Sequence, residues 1–350
     1  MEPSSSHNNA NLHETLQQRQ QFISHVAEYV ADTTYPQYHT TGILHQDAAI
    51  MKDGTAYAVL RAVPNDPITD MTIGLTPAWW TSTRGHNRHT IEHFMRLGVP
   101  GVAIGIEGSY RTQQQTTVLQ QVQGLFNQSL LRSSHHIHRI LDVIDSNNES
   151  LSVHTKDMIL LGESRGAMIG KGILGLATKY NRNIPYADIT APCFPEKFSV
   201  TKTPNLMKQV IREPLEFVKL FGSIGLRSLI HYPASIDLHP HAIANNISIG
   251  PALFSGDAGK LAATIPREQN MHITTFHDDF ASMPHVWEDI YKQHSNVRIK
   301  RIEGAHLTIA HSRTLEYIDK RIFALLLEVE HVGSKKAEDL DFSTVHLSDV

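Results

Sequence analysis

Cysteine is almost absent from the 350 residues: the single Cys193 has no partner for an intramolecular disulfide and cannot take part in a zinc site built on several cysteines. Long apolar runs are missing too. A membrane-spanning helix needs roughly eighteen or more consecutive apolar residues, and no such run exists, so no transmembrane segment is expected. Neither charge sign dominates, with 31 Lys+Arg against 35 Asp+Glu and a formal net charge of −4. Phosphate binding needs a clustered positive footprint, and without a long basic stripe no nucleic-acid partner is expected. The opening MEPSSSHNNANLHETLQQRQQ has neither a basic n-region nor an apolar h-region, so no targeting segment is expected. With the lone cysteine, this places the expected location in the cytoplasm. What is present is 41% hydrophobic residues, enough for a sizeable core, which excludes wholesale disorder. The length suits two domains, or one α/β domain carrying an insertion.

Residues 1–12 are Ser/Asn/His-rich and read as a disordered arm. Phe22, Ile23, Val26, Tyr29 and Val30 recur at helical spacing, and that pattern stops near Tyr35-Pro36. Two β-prone runs, ILHQDAAIMK and TAYAVLRAVP, flank Asp53-Gly54, a strong hairpin signal because both central residues of such a turn need φ > 0. MTIGLTPAWW predicts a third strand, His89 to Leu97 a helix, and VPGVAIGIEG a strand buried on both faces. Alternation follows: helix over 116–144, strand DMILLG (157–162), helix 165–180, strand YADITAP (186–192). Later come strand MHITTF (271–276), helix 284–294, strand VRIKRI (297–302) and helix 315–329. That order predicts an α/β fold: a mostly parallel sheet with helices on both faces, preceded by an N-terminal antiparallel hairpin. Residues 194–270 break the rhythm and read as a helical cap insertion, too long for a plain loop. The expected organisation is a core of 13–193 and 271–332, the cap 194–270, and a disordered tail 333–350.

Gly162-Glu163-Ser164-Arg165-Gly166 is a G-x-S-x-G pentapeptide between an apolar strand and a helix opening with small residues. A serine on a sharp strand-to-helix turn needs glycine two positions either side, where a side chain would collide with neighbouring backbone. The turn lifts the hydroxyl to the C-terminal edge of the sheet, beside the first N–H groups of the helix, which stabilise a developing oxyanion. Read otherwise, the serine only caps the helix. A serine hydroxyl also needs a base. Among 23 histidines, His306 is singled out by position, since it follows the last strand on the small-residue loop EGAH. The acid is expected after the preceding strand, which runs into His277-Asp278-Asp279. Asp279 is preferred and Asp278 is second choice; the 27 positions from Asp279 to His306 hold one helix and one strand.

The hairpin, the alternating strands, GESRG after the fifth strand, FHDD late and EGAH last resemble the α/β-hydrolase superfamily in its Ser…Asp…His order. The resemblance covers residues 42–330 and implies an eight-stranded sheet with a cap after the sixth strand. It also implies an oxyanion donor on the loop after the third strand. The matching stretch is Thr76-Pro77-Ala78-Trp79, which has no His-Gly pair. Pro77 has no N–H, so Ala78 or Trp79 would donate together with Arg165. GIEGSYR (105–111) is similar to the family's turn after the fourth strand, with its usual charged residues altered.

Trp79 and Trp80 either line an acyl or aromatic pocket or are core aromatics under their loop. Phe217 and Phe221 either roof the pocket or pack the cap onto the sheet. Arg165 and Glu163 are expected to face solvent. Asp237, His239 and His241, and His135, His136 and His138, have metal-like spacing but lack a converging carboxylate or Cys pattern; surface positions and no metal are expected. The resulting expectation is a serine hydrolase with no cofactor, acting on a small-molecule ester or acyl substrate. Amide, peptide or thioester hydrolysis, acyl transfer, or a catalytically degenerate binding module are the alternatives.

Overall fold

The computed structural model of the chain describes residues 40–53, 55–67, 69–78, 86–106, 129–146, 153–193, 211–212, 214–215, 257–279, 281–306 and 312–329. The strands are β1 (Gly42–Ile50), β2 (Ala56–Pro64), β3 (Thr72–Thr76) and β4 (Gly101–Ile106), then β5 (Met158–Glu163), β6 (Tyr186–Thr190), β7 (Asn270–Phe276) and β8 (Val297–Ile302). They form one eight-stranded sheet in the order β1-β2-β4-β3-β5-β6-β7-β8. β1 pairs antiparallel with β2, and β2 with β4; every pairing from β4 to β8 is parallel.

The helices are α1 (His86–Arg96), α2 (Leu130–Ser146), α3 (Arg165–Leu176), α4 (Asp257–Ala262), α5 (Pro284–Tyr291) and α6 (Ser312–Val329). Strand side chains alternate between faces. Met158 and Leu160 therefore enter the core layer shared with α2–α5, while Ile159 and Leu161 enter the layer beneath α1 and α6. Burial on both faces explains why MILL (158–161) reads as an uninterrupted apolar run.

Local chemistry sets several boundaries. The hairpin connection is longer than a two-residue turn: Met51 N donates to Thr55 O at 2.9 Å, and Asp53 Oδ1 accepts from Thr55 N at 3.1 Å. α2 starts where the Ser129 hydroxyl accepts from Arg132 N at 3.1 Å, an N-cap that closes the first turn. α3 ends at Leu176, short of the expected Tyr180; a 3₁₀ turn (Thr178–Tyr180) and left-handed Asn181 (φ 49°) follow. The predicted arm, the Phe22–Val30 helix and the tail lie outside the described residues, as does most of 194–256. At the far end of the predicted cap, α4 packs against α3, with Ala258, Leu261 and Ala262 in the main core. No described helix is long and apolar enough to cross a membrane.

On the α6 side, Asp188 of β6 and Arg321 of α6 form an ion pair in which each side chain is only 1% exposed. Arg321 Nη2 donates to Asp188 Oδ1 at 2.5 Å and to Thr274 Oγ1 of β7 at 2.8 Å. One guanidinium thereby joins the last long helix to two strands.

Candidate active site

Ser164 occupies the single residue between β5 and α3, with φ 52° and ψ −112°, a strained conformation for a residue carrying a side chain. Its N–H donates to Thr190 O at 2.8 Å, so the end of β6 fixes the turn. Both flanking glycines are sterically required. A Cβ on Gly166 would overlap the Thr76 carbonyl, and one on Gly162 would lie 2.8 Å from Ala167 Cα. The close approach at Gly166 seats the loop after β3 on the first turn of α3. Thr76 reinforces it: its hydroxyl lies 2.8 Å from Gly166 O and 3.0 Å from Leu161 O, and its one proton serves one carbonyl at a time.

The loops after β7 and β8 are tied together. His277 N donates to Ile302 O at 3.0 Å, and Asp278 N donates to Gly304 O at 2.9 Å. Glycine suits position 304, where φ is 137°. This brings Asp279 and His306 face to face: His306 Nδ1–H donates to Asp279 Oδ2 at 2.8 Å. The second oxygen, Asp279 Oδ1, accepts from Ala281 N at 2.8 Å and Ser282 N at 2.9 Å, which holds the carboxylate plane. With Nδ1 protonated, Nε2 carries the lone pair, and it accepts from Ser164 Oγ at 2.8 Å. Three side chains from three strand ends thus form one hydrogen-bonded chain from hydroxyl to buried carboxylate.

Electrostatics reinforce the arrangement. Burial alone lowers the His306 pKa, but the charge and hydrogen bond of Asp279, together with the contact from Cys193, outweigh it. The imidazole is held well above its ordinary 6.5. Asp278 is engaged elsewhere, with Arg212 Nη1 3.3 Å from its Oδ2.

Other expected residues divide. Ala78 is half-buried beside the seated loop, whereas Trp79, Trp80, Phe217 and Phe221 lie outside the described residues. Arg165 and Glu163 do not face solvent: they are 1% and 8% exposed. Arg165 is thus enclosed at the first turn of α3, where its charge is felt by the Tyr57 phenol of β2. His136 and His138 are buried rather than on the surface. His136 Nδ1 is 3.1 Å from Tyr57 Oη; His138 stacks on Tyr180 at 4.3 Å, and its Nε2–H donates to Ile173 O at 3.0 Å. These rings fill core space on the apolar side of α2. Among the described residues, no group of three or more His, Cys, Asp or Glu stands together as a metal site. Asp237, His239 and His241 fall outside them.

Sequence reasoning missed Cys193 as a neighbour of the site. Its Sγ lies 3.3 Å from Ser164 Oγ. The signal was available, since Cys193 follows β6, and β6 is the parallel neighbour of the strand that ends at the serine.

The chain has the α/β-hydrolase fold, as solved structures of similar shape make plain. A serine hydrolase from the polyaromatic-hydrocarbon-degrading bacterium Cycloclasticus zankles aligns over 82% of this chain and 100% of its own, at 12% identity and a TM-score of 0.53. An esterase from Exiguobacterium antarcticum aligns over 82% and 100%, at 14% identity and TM-score 0.54. An enol-lactonase from Burkholderia xenovorans aligns over 81% and 100%, at 10% identity and TM-score 0.54. No protein-family model and no curated protein matches the chain.

Proposed function

We propose that the protein is a serine hydrolase that cleaves carboxylic esters through an acyl-serine intermediate. The observation carrying this reading is the continuous chain from Ser164 Oγ through His306 to Asp279, with 2.8 Å at both joints. In the proposed cycle His306 Nε2 removes the serine proton as Oγ attacks the carbonyl, then returns it to the departing alcohol. Asp279 fixes the tautomer and stabilises the imidazolium that forms. The backbone N–H of Arg165, with that of Ala78 or Trp79, holds the tetrahedral oxyanion. Water then hydrolyses the acyl-serine, with no cofactor. The esterase, serine hydrolase and enol-lactonase among the similar folds favour hydrolysis.

The test is labelling by a fluorophosphonate probe alongside turnover of short and long p-nitrophenyl esters. Ser164→Ala is expected to abolish labelling and lower kcat by roughly 10⁴-fold or more, and His306→Ala to lower kcat comparably. A wild-type protein that neither labels nor hydrolyses any ester would instead point to a binding module on this fold.

A further inference from the structure

Cys193 lies just past β6, where its Sγ is 3.3 Å from Ser164 Oγ and is hydrogen-bonded to His306. One imidazole therefore faces two nucleophilic side chains. Lys171 of α3 is 0% exposed. Its Nζ has no hydrogen-bond partner among the described residues and lies 3.0 Å from the centroid of the Trp287 ring. It also interacts electrostatically with Cys193. Trp287 Nε1 donates to Pro192 O at 3.2 Å, which locks ring, amine and thiol loop into one cluster. A buried amine without an acceptor is costly, and an oxygen added at the sulfur would supply one.

We propose that Cys193 is an oxidation site for small hydroperoxides, and that its sulfenic acid shuts the Ser164 site. In the step, His306 Nε2 takes the thiol proton and Sγ attacks one oxygen of hydrogen peroxide. The O–O bond breaks, and the departing hydroxide takes the proton from His306 and leaves as water. Sulfur is oxidised by two electrons to Cys–SOH while the peroxide is reduced. Access follows from geometry, because whatever reaches Ser164 Oγ also meets Sγ. The new oxygen crowds Oγ and competes for Nε2, so the serine loses its base. The chain has no second cysteine to resolve the sulfenic acid, so recovery needs two equivalents of an external thiol. The loss of turnover rests on the proposed role of Ser164; the oxidation itself does not.

Wild type, Cys193→Ala and Cys193→Ser would be treated with hydrogen peroxide and split, one portion trapped with dimedone for mapping and the other left untrapped for labelling. Peptide mass mapping and fluorophosphonate labelling of Ser164 would then be read against each protein's own untreated sample. We expect a dimedone adduct on the Cys193 peptide and a fall of at least about tenfold in wild-type labelling, restored by dithiothreitol, with both variants unaffected. The proposal is overturned if Cys193 stays reduced where free glutathione is oxidised, if the adduct forms while labelling persists, or if the variants lose labelling equally fast. Should untreated wild type fail to label, the serine-nucleophile reading falls, while the adduct still decides whether Cys193 is the oxidation site.

Discussion

Burial and hydrogen bonding pull the His306 imidazole in opposite directions, and the carboxylate of Asp279 wins, leaving its pKa well above 6.5. A general base must be neutral to accept a proton, so its pKa marks the acidic edge of activity. The expected kcat/KM profile for p-nitrophenyl acetate therefore loses activity on acidification through a pKa above 6.5. Asp279→Asn removes the charge that raises this value; the edge should move to lower pH while kcat falls roughly 10⁴-fold. Asp278→Ala is the control. It removes a partner of Arg212, 3.3 Å away, and should change kcat by less than about threefold. Sequence order alone left the two aspartates open, because adjacent loop residues share a position on the sheet edge and differ only in which way they turn. The backbone bonds from Ala281 and Ser282 to Asp279 Oδ1 settle which carboxylate faces His306, and they depend on a local turn with no distinctive residue pattern.

Packing through apolar faces was legible in the sequence, and polar anchors were not. The strand runs and the periodicity of α6 announced themselves because burial repeats with the pitch of the element. The anchor of α6 did not, since Arg321 meets Asp188 across 133 positions of sequence. Similarly, Arg165 looked like a solvated neighbour of the serine, yet it is 1% exposed, which no local residue pattern announces. Removing one partner of a buried pair leaves the other charge uncompensated. Asp188→Ala or Arg321→Ala should therefore cost about 3–5 kcal/mol in chemical denaturation. The double substitution Asp188→Leu, Arg321→Met should recover much of that loss, because no charge is then stranded.

At the scale of the whole molecule, neutral histidines that are buried (His138) or half-buried (His272) shape the response to acid. Burial lowers His138 to about 4 and His272 to about 3, the latter aided by the positive charges of Arg321 and Arg298. In the unfolded chain both rings take up protons near pH 6.5, while in the folded chain they resist until far lower. Stability from these groups is thus intact above pH 6.5 and is lost as pH falls toward 4 and then 3. Each pKa unit is worth about 1.4 kcal/mol, so the combined loss is several kcal/mol. The expected result is a melting temperature that drops between pH 7.5 and 5, with a smaller drop in His138→Gln, whose amide can still donate to Ile173 O.

The hydroxyl and its base stand 142 residues apart in the chain. At roughly 5–20 residues per second, synthesis separates their emergence from the ribosome by about 7–30 s. Throughout that interval Ser164 has no imidazole to take its proton, and an unassisted serine hydroxyl is a poor nucleophile. On the proposed mechanism, a nascent chain, or one cut short before β8, is latent toward acyl groups without any inhibitor or pro-segment, and reactivity would arrive only with the final strand and the loop that follows it.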